Sequence, residues 1–163
     1  VKQTLMGDSI NAQRIFALRS ACSLLKSVPE GEAIVLAMVV NKLGDPHTKT
    51  AAAAAHELRN VLDVHPNMTP IVAREVQQLA HRPQLAPRAL YNCVIFLNQL
   101  RLTNDSLPSA LVKTYFRLFD VTVRKEEQLK GRLLSALLTG VNRARPYVAE
   151  KDRDMDEHVD ALY

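Results

Sequence analysis

The strongest constraint on the fold is a set of apolar residues that recur at the spacing of an α-helix. Val72, Val76, Leu79 and Ala80 follow positions i, i+4, i+7 and i+8, which lie on one face of a helix. We find no convincing alternation of apolar and polar residues of the kind that a half-buried β-strand needs. The spacing therefore predicts an all-α protein.

Helix boundaries are marked by prolines and by short polar residues. Asp45-Pro46 and Thr69-Pro70 each combine an N-cap residue with a first-turn proline, whose missing N–H costs nothing there. Pro87 and Pro108 mark two further starts, because proline is favoured in the first turn of a helix. The predicted helices are about eight in number and cover residues 9–26, 31–43, 46–64, 70–82, 87–102, 107–124, 126–143 and 152–163.

Composition narrows the class of protein. Hydrophobic residues make up 47% of the 163 residues, which excludes a wholly disordered chain. Cys22 and Cys93 are too isolated for a zinc knuckle or a disulfide framework, so a reducing compartment is indicated. No apolar stretch approaches the roughly 20 residues of a membrane span. We therefore expect no membrane partner.

Charge is distributed unevenly along the chain. Residues 46–148 contain 14 basic and 7 acidic side chains, whereas residues 149–163 contain 2 basic and 6 acidic ones. A basic middle indicates an acidic partner, such as RNA or an acidic protein face. The alternative is that these lysines and arginines only solvate the outer faces of helices, since no lysine-rich run or interleaved aromatic motif accompanies them.

A repeat of about 39 residues relates the third predicted helix to the fifth. Shifting the sequence by 39 positions places Leu58 on Leu97 and Val61 on Leu100. This interval is typical of HEAT-like helical hairpins, which stack to bury apolar faces that no single hairpin can bury alone. The sequence therefore predicts a HEAT-like solenoid, with a compact helical bundle as the alternative. The run Ala51–Ala55 favours close packing of a neighbouring helix, although alanine also simply favours helix formation.

Searches for catalytic motifs find little. His56-Glu57 would begin a zinc-protease motif, but Asn60 stands where the second histidine is needed. Asp152, Asp154 and Asp156 have the spacing of the first calcium-loop ligands, but the glycine and the last glutamate of such a loop are missing. We therefore expect no enzyme, no metal, no cofactor and no small-molecule substrate.

A resemblance to a known family is carried by the run Leu133–Tyr147. Within it, the most specific stretch is Leu137-Leu138-Thr139-Gly140-Val141-Asn142-Arg143-Ala144. Val40–Pro46, His65–Met68 and Arg88–Gln99 agree with it. These residues resemble the CCAAT-binding-factor domain of the nucleolar-complex family, over about residues 39–147. Relatives in that family are far longer, so we expect residues 1–163 to be a single helical-repeat piece of a longer protein.

The resemblance implies a function in ribosome biogenesis. Members of the family are helical scaffolds of the nucleolus and nucleus that act in early 60S pre-ribosomal particles and in rRNA processing. It implies three kinds of partner: a second nucleolar-complex protein, other pre-60S assembly factors and pre-rRNA. It also implies an alternative, a transcription regulator that binds CCAAT promoter DNA.

The family motif has a physical interpretation. Gly140 allows either a left-handed C-cap or a close helix crossing, and Asn142 is placed to bind exposed backbone at such a break. Arg143 and Arg145 either face solvent or meet carboxylate or phosphate groups, which suit the guanidinium fork. The candidate residues for contact with a partner or with RNA are Lys49, Arg88, Lys130, Arg132, Arg143 and Arg145.

Overall fold

A computed structural model describes residues 2–27, 33–103, 106–124 and 130–148, with side chains from residue 10 onward. These residues form seven α-helices, and no strand occurs among them, which confirms the all-α prediction. The helices are α1 (Lys2–Ser27), α2 (Ala33–Asn41), α3 (Thr48–Val64), α4 (Thr69–Ala80), α5 (Pro87–Asn98), α6 (Leu107–Val123) and α7 (Lys130–Ala144). Three 3₁₀ turns accompany them at Lys42–Gly44, Pro66–Met68 and Arg145–Tyr147.

Helix boundaries differ from the predicted ones where local polar groups bind elsewhere. Asp45 does not cap α3; its Oδ1 accepts the His47 N–H at 2.9 Å, and His47 is the N-cap residue. Thr69 does not cap α4 either, because its hydroxyl donates to the Pro66 carbonyl at 2.7 Å and Met68 is the N-cap residue. The predicted helix 152–163 lies outside the described residues. Whether the helices form a HEAT-like solenoid stays a prediction.

The chain divides into two compact units, Val1–Phe96 and Leu97–Tyr163. In the first unit, α1 packs on α3 and α2 packs on α4, and α1 also contacts α2. Its core contains the whole predicted stripe of α4, since Val72, Val76, Leu79 and Ala80 are buried. The expectation that residues 1–163 are a single helical-repeat piece of a longer protein stays a prediction.

Two long-range hydrogen bonds join elements of the first unit. His65 Nε2 lies 2.6 Å from the Lys26 carbonyl oxygen, which ties the end of α1 to the end of α3. Asn92 Nδ2 donates to the Leu43 carbonyl at 3.0 Å, which ties α5 to the turn after α2. In both hydrogen bonds the acceptor is a backbone carbonyl near a helix end, where intrahelical partners are missing.

Small residues let the first unit pack tightly. Ala51 and Ala54 are buried on α3, the helix that packs against α1, whereas Ala52 is exposed. Cys22 and Cys93 are buried core residues. Burial raises the pKa of Cys22 to about 11 and that of Cys93 to about 12, so both thiols stay protonated at neutral pH.

The second unit is built on the pair α6 and α7, which pack against each other along their length. Its core holds Leu111, Tyr115 and Leu118 from α6 and Leu133 and Leu137 from α7. The 3₁₀ turn Arg145–Tyr147 contacts both helices. None of the described helices, in either unit, is long and apolar enough to cross a membrane.

The core position of Leu137 can be tested by truncation. Leu137 is fully buried, so Leu137→Ala is expected to lower the free energy of unfolding by about 2–5 kcal/mol through lost burial and a cavity. Urea unfolding followed by far-ultraviolet circular dichroism measures the loss. Leu138→Ala is the matched control, because the neighbouring Leu138 is 42% exposed and should cost about 1 kcal/mol or less. Equal losses in the two variants would contradict the burial of Leu137.

Candidate functional site

The family motif occupies the second half of α7 and divides into two faces. Leu137, Gly140 and Ala144 are buried at helical spacing, on the side that packs in the second unit. Leu138, Thr139 and Asn142 are exposed, and Val141 is half-buried. The motif therefore joins a packing face to a solvent-facing one.

Gly140 marks a close approach of α7 to Asn98 and Tyr115. A Cβ atom built on Gly140 would lie 2.5 Å from Asn98 Oδ1 and 2.7 Å from the Cε2 and Cζ atoms of Tyr115. Real Cβ atoms do not approach other atoms this closely, so only glycine fits without a shift. Because Gly140 lies inside α7, it makes a close crossing, and the alternative of a left-handed C-cap is wrong.

The side chain of Asn98 packs on the backbone of α7 at this crossing. Its Nδ2 donates to the Ala136 carbonyl at 2.8 Å. Its Oδ1 is buried over Gly140 and accepts no hydrogen bond from the residues that the structure describes. Tyr115 is 1% exposed beside them, and burial raises the pKa of its phenol, which therefore stays neutral. The crossing thus combines an amide, an aromatic ring and bare backbone.

Arg143 closes the end of α5. Its Nη1 donates to the Asn98 carbonyl at 2.5 Å, and its Nη2 donates to the Leu100 carbonyl at 2.6 Å. The last carbonyls of a helix have no intrahelical partner, and a positive charge at that end is favourable. The backbone-binding role predicted for Asn142 therefore belongs to Arg143, whereas a partner contact by Arg143 stays a prediction.

The remaining candidate cations lie in different units. Lys130, Arg132 and Arg145 belong to the second unit with Arg143; Arg132 and Arg145 are exposed, and Lys130 Nζ donates to the Val123 carbonyl at 2.8 Å. Lys49 and Arg88 are exposed at the starts of α3 and α5, in the first unit. Four of the six candidate cations therefore belong to the described part of the second unit.

Three further cations on α6 were missed by the sequence analysis. Lys113, Arg117 and Arg124 are exposed at spacings of four and seven residues, which places them on one face of the helix. None of them forms an ion pair with a described side chain. Among its described residues the second unit has eight Lys and Arg and one acidic residue, Asp120. The spacing on the polar side of α6 was the signal available in the sequence.

The chain that carries this motif and these cations is similar to several known proteins. The chain is 40% identical to human CCAAT/enhancer-binding protein zeta over 165 residues, which cover 100% of the chain. It is 33% identical to ribosome biogenesis protein NOC1 of Chaetomium thermophilum over 96% of the chain, and 36% identical to nucleolar complex protein 1 of Drosophila melanogaster over 77% of it. The chain belongs to the nucleolar-complex family of CCAAT-binding-factor domains.

The match covers from 77% to 100% of the chain but only a small part of each relative. The chain spans 16% of human CCAAT/enhancer-binding protein zeta and 18% of the Chaetomium protein. No protein-family model matches the chain. Among the described residues, no group of three or more His, Cys, Asp or Glu side chains could hold a metal ion. The candidate site of this family member therefore consists of the packing motif on α7 and the exposed cations of the same unit.

The close crossing predicts opposite effects of alanine at two glycines of α7. Gly140→Ala is expected to destabilise the chain by about 1–3 kcal/mol, because its Cβ overlaps Asn98 and the buried Tyr115 ring. Gly131→Ala meets nothing within 4 Å, so its higher helix propensity should leave stability equal or raise it by up to about 1 kcal/mol. Denaturant unfolding of both variants measures the two changes. A stabilising Gly140→Ala would show that the crossing is looser than described.

The cap on α5 predicts that Arg143 contributes to stability. Arg143→Ala removes hydrogen bonds to two carbonyls, and we expect a loss of about 1–2 kcal/mol in thermal or urea unfolding. Arg143→Lys should recover only part of the loss, because an ammonium group lacks the planar fork. Arg132→Ala, an exposed cation on the same helix, is the control and should change stability by less than about 0.5 kcal/mol.

Proposed function

We propose that the chain is a non-catalytic segment of a ribosome assembly factor that acts in the nucleolus, in early 60S pre-ribosomal particles. The observation that carries the proposal is similarity over 96% of the chain to a protein named for ribosome biogenesis. The relative named nucleolar complex protein 1 supports the nucleolar location. On this proposal the segment binds protein partners, among them a second nucleolar-complex protein, and pre-rRNA.

The basic surface of the second unit, formed by Lys113, Arg117 and Arg124 on α6, supports the RNA part of the proposal. Along the axis of α6, Lys113 and Arg117 lie about 6 Å apart and Arg117 and Arg124 about 10 Å apart, at 1.5 Å per residue. Cations at such intervals suit the repeated phosphates of a nucleic-acid backbone, and each contact releases a counterion. None of the three forms an ion pair with a described carboxylate, and Asp120 is the one acidic residue on α6, so positive charge remains to meet an external anion.

The alternative function is regulation at CCAAT promoter DNA, which the name of the human relative suggests for that protein. Sequence-specific reading of DNA needs side chains that reach base edges, commonly from a helix in the major groove. The exposed cations of α6 share their face with one acidic residue, Asp120, and with Val121. No Asn or Gln, the side chains that pair with adenine edges, occurs in α6, whereas its Lys and Arg suit phosphates, so α6 favours phosphate contact over reading of bases.

Binding of fluorescein-labelled nucleic acids to the chain tests the RNA contact. The probes are a 20-nucleotide single-stranded RNA, a duplex containing CCAAT and a scrambled duplex, each measured by anisotropy across a salt series. The variant K113Q/R117Q/R124Q should bind RNA about 10-fold more weakly near 0.1 M salt. The slope of log K against log salt should fall in magnitude by about two.

The matched control carries the same charge change on exposed cations of the first unit, R14Q/R74Q/R82Q. If the two triple variants lost RNA affinity equally, the loss would be an effect of net charge alone, and a specific contact on α6 would be refuted. Tighter binding to the CCAAT duplex than to the scrambled duplex would favour the alternative function. Crosslinking mass spectrometry on pre-ribosomal particles that hold the full-length protein tests the assembly role; absence of crosslinks from this segment would count against it.

A further inference from the structure

The first unit exposes large apolar side chains on two consecutive helices. Phe16 on α1 is 73% exposed and Leu24 is 55% exposed, and Ile34 and Met38 on α2 are 77% and 63% exposed. Single exposed hydrophobic residues are ordinary on protein surfaces, whereas a group of them on adjoining elements marks an interaction site. The contact between α1 and α2 makes the two helices adjoining.

These residues lie on the outer side of each helix. On α1, Phe16, Ser20 and Leu24 follow i, i+4 and i+8, on the opposite side from the buried Leu18 and Cys22. The buried side of α1 belongs to the helix that packs on α3. Phe16 and Leu24 therefore point away from the core that α1 shares with α3.

The arrangement on α2 is the same. Ile34 and Met38 lie one turn apart, opposite the buried Leu36, Val39 and Val40. The packing partner of α2 is α4. The pair α1 and α2 thus has apolar residues on both sides, one covered by α3 and α4 and the other uncovered among the described residues. We call the uncovered side the outer face, defined by Phe16, Leu24, Ile34 and Met38.

The outer face lacks the charges of a solvated helix surface. Among the exposed residues of 10–27 and 33–41, only Arg14 and Arg19 are charged. Ala12, Ala17 and Ser23 are exposed around Phe16 and Leu24 and are small enough to let another helix approach closely. Depletion of charge around large apolar residues is typical of the centre of a protein–protein interface.

The two arginines indicate the charge of the occupant. On a helical wheel Arg14 and Arg19 lie on the two sides of the stripe Phe16–Ser20–Leu24. Arg19 Nε lies 3.7 Å from Glu57 Oε1 of α3, and Lys26 Nζ lies 3.8 Å from Oε2 of the same carboxylate, so two cations share one acidic group there and positive charge remains. The residues of α1 and α2 whose side chains are described include no Asp or Glu. A second copy of the chain would bring like charges together across the interface. Two cations are also fewer than a nucleic-acid surface needs, or than the lysine- and arginine-rich polar face of a membrane-bound helix.

We propose that the outer face is a docking site for an amphipathic α-helix of a protein partner, with an apolar stripe bordered by Asp and Glu. The apolar stripe would cover Phe16, Leu24, Ile34 and Met38, and the acidic borders would meet Arg14 and Arg19. The inference extends the protein-binding part of the proposed function. It does not depend on the RNA contact, which lies in the other unit.

Two synthetic 18-residue helical peptides serve as probes of the face. Both carry the same Leu and Ala stripe; one has Glu along both borders and the other has Lys. Fluorescence anisotropy should show the Glu peptide binding the chain at least about 10-fold more tightly than the Lys peptide. The variant I34K/M38K should lose at least about 10-fold of the affinity for the Glu peptide.

The control V64K/I71K replaces two hydrophobic residues that are similarly exposed, at 55% and 56%, on α3 and α4. It should bind the Glu peptide as the unchanged chain does. R14E is a second variant, expected to weaken the Glu peptide and strengthen the Lys peptide. All changed residues are exposed, and equal melting temperatures by circular dichroism establish that the variants are folded.

Several outcomes would overturn the proposal. One is equal affinity for the two peptides, and another is no binding of either. A dimer of the chain in light scattering that I34K/M38K dissociates would show that a second copy is the occupant. Binding to vesicles of phosphatidylcholine and phosphatidylserine at 3:1, lost in I34K/M38K, would show a lipid surface instead. Failure of any of these tests leaves the RNA measurement on K113Q/R117Q/R124Q unaffected, so the two proposals fall separately.

Discussion

The second unit depends on the contact in which bare backbone of α7 lies against Asn98 and Tyr115. Gly140 leaves no room for a side chain there, and the Asn98 amide binds the Ala136 carbonyl one turn earlier. The position of α7 in turn places the Arg143 guanidinium on the carbonyls of Asn98 and Leu100. This close approach therefore fixes the packing of α6 on α7. It also fixes the end of α5 and the residues directly after it, up to Leu100.

Much of the fold could be predicted from local patterns because those patterns have local causes. Val72, Val76, Leu79 and Ala80 are buried as their spacing predicts. The N-caps at Asp45 and Thr69 were wrong, because their side chains bind the turn before the helix instead of the helix itself. Which of two nearby backbone groups a side chain hydrogen-bonds depends on differences of a few ångströms in position, and a sequence pattern does not contain these distances.

The motif on α7 shows where prediction stops. The close crossing predicted as one alternative for Gly140 is present, but the residues that Gly140 approaches, Asn98 and Tyr115, lie 42 and 25 positions earlier and are not shown by a local pattern. The role of Arg143 depended on where α5 ends, at Asn98 and not at residue 102 as predicted. The α6 cations, in contrast, follow a simple helical spacing and were available from the sequence. The roles of Gly140 and Arg143 depend on contacts that are distant in sequence, whereas the arrangement of the α6 cations depends only on spacing within one helix.

The two units present different outer chemistries. The outer face of the first is apolar and nearly free of charge, whereas the described surface of the second is cationic. Both native thiols lie within the first unit, are fully buried and have a pKa raised to about 11 and about 12. Because thiolate is the nucleophile, neither reacts readily with alkylating reagents in the folded chain. A cysteine introduced at any exposed position is therefore labelled selectively without removing Cys22 or Cys93, so the natural core can be kept intact when dyes or spin labels are attached.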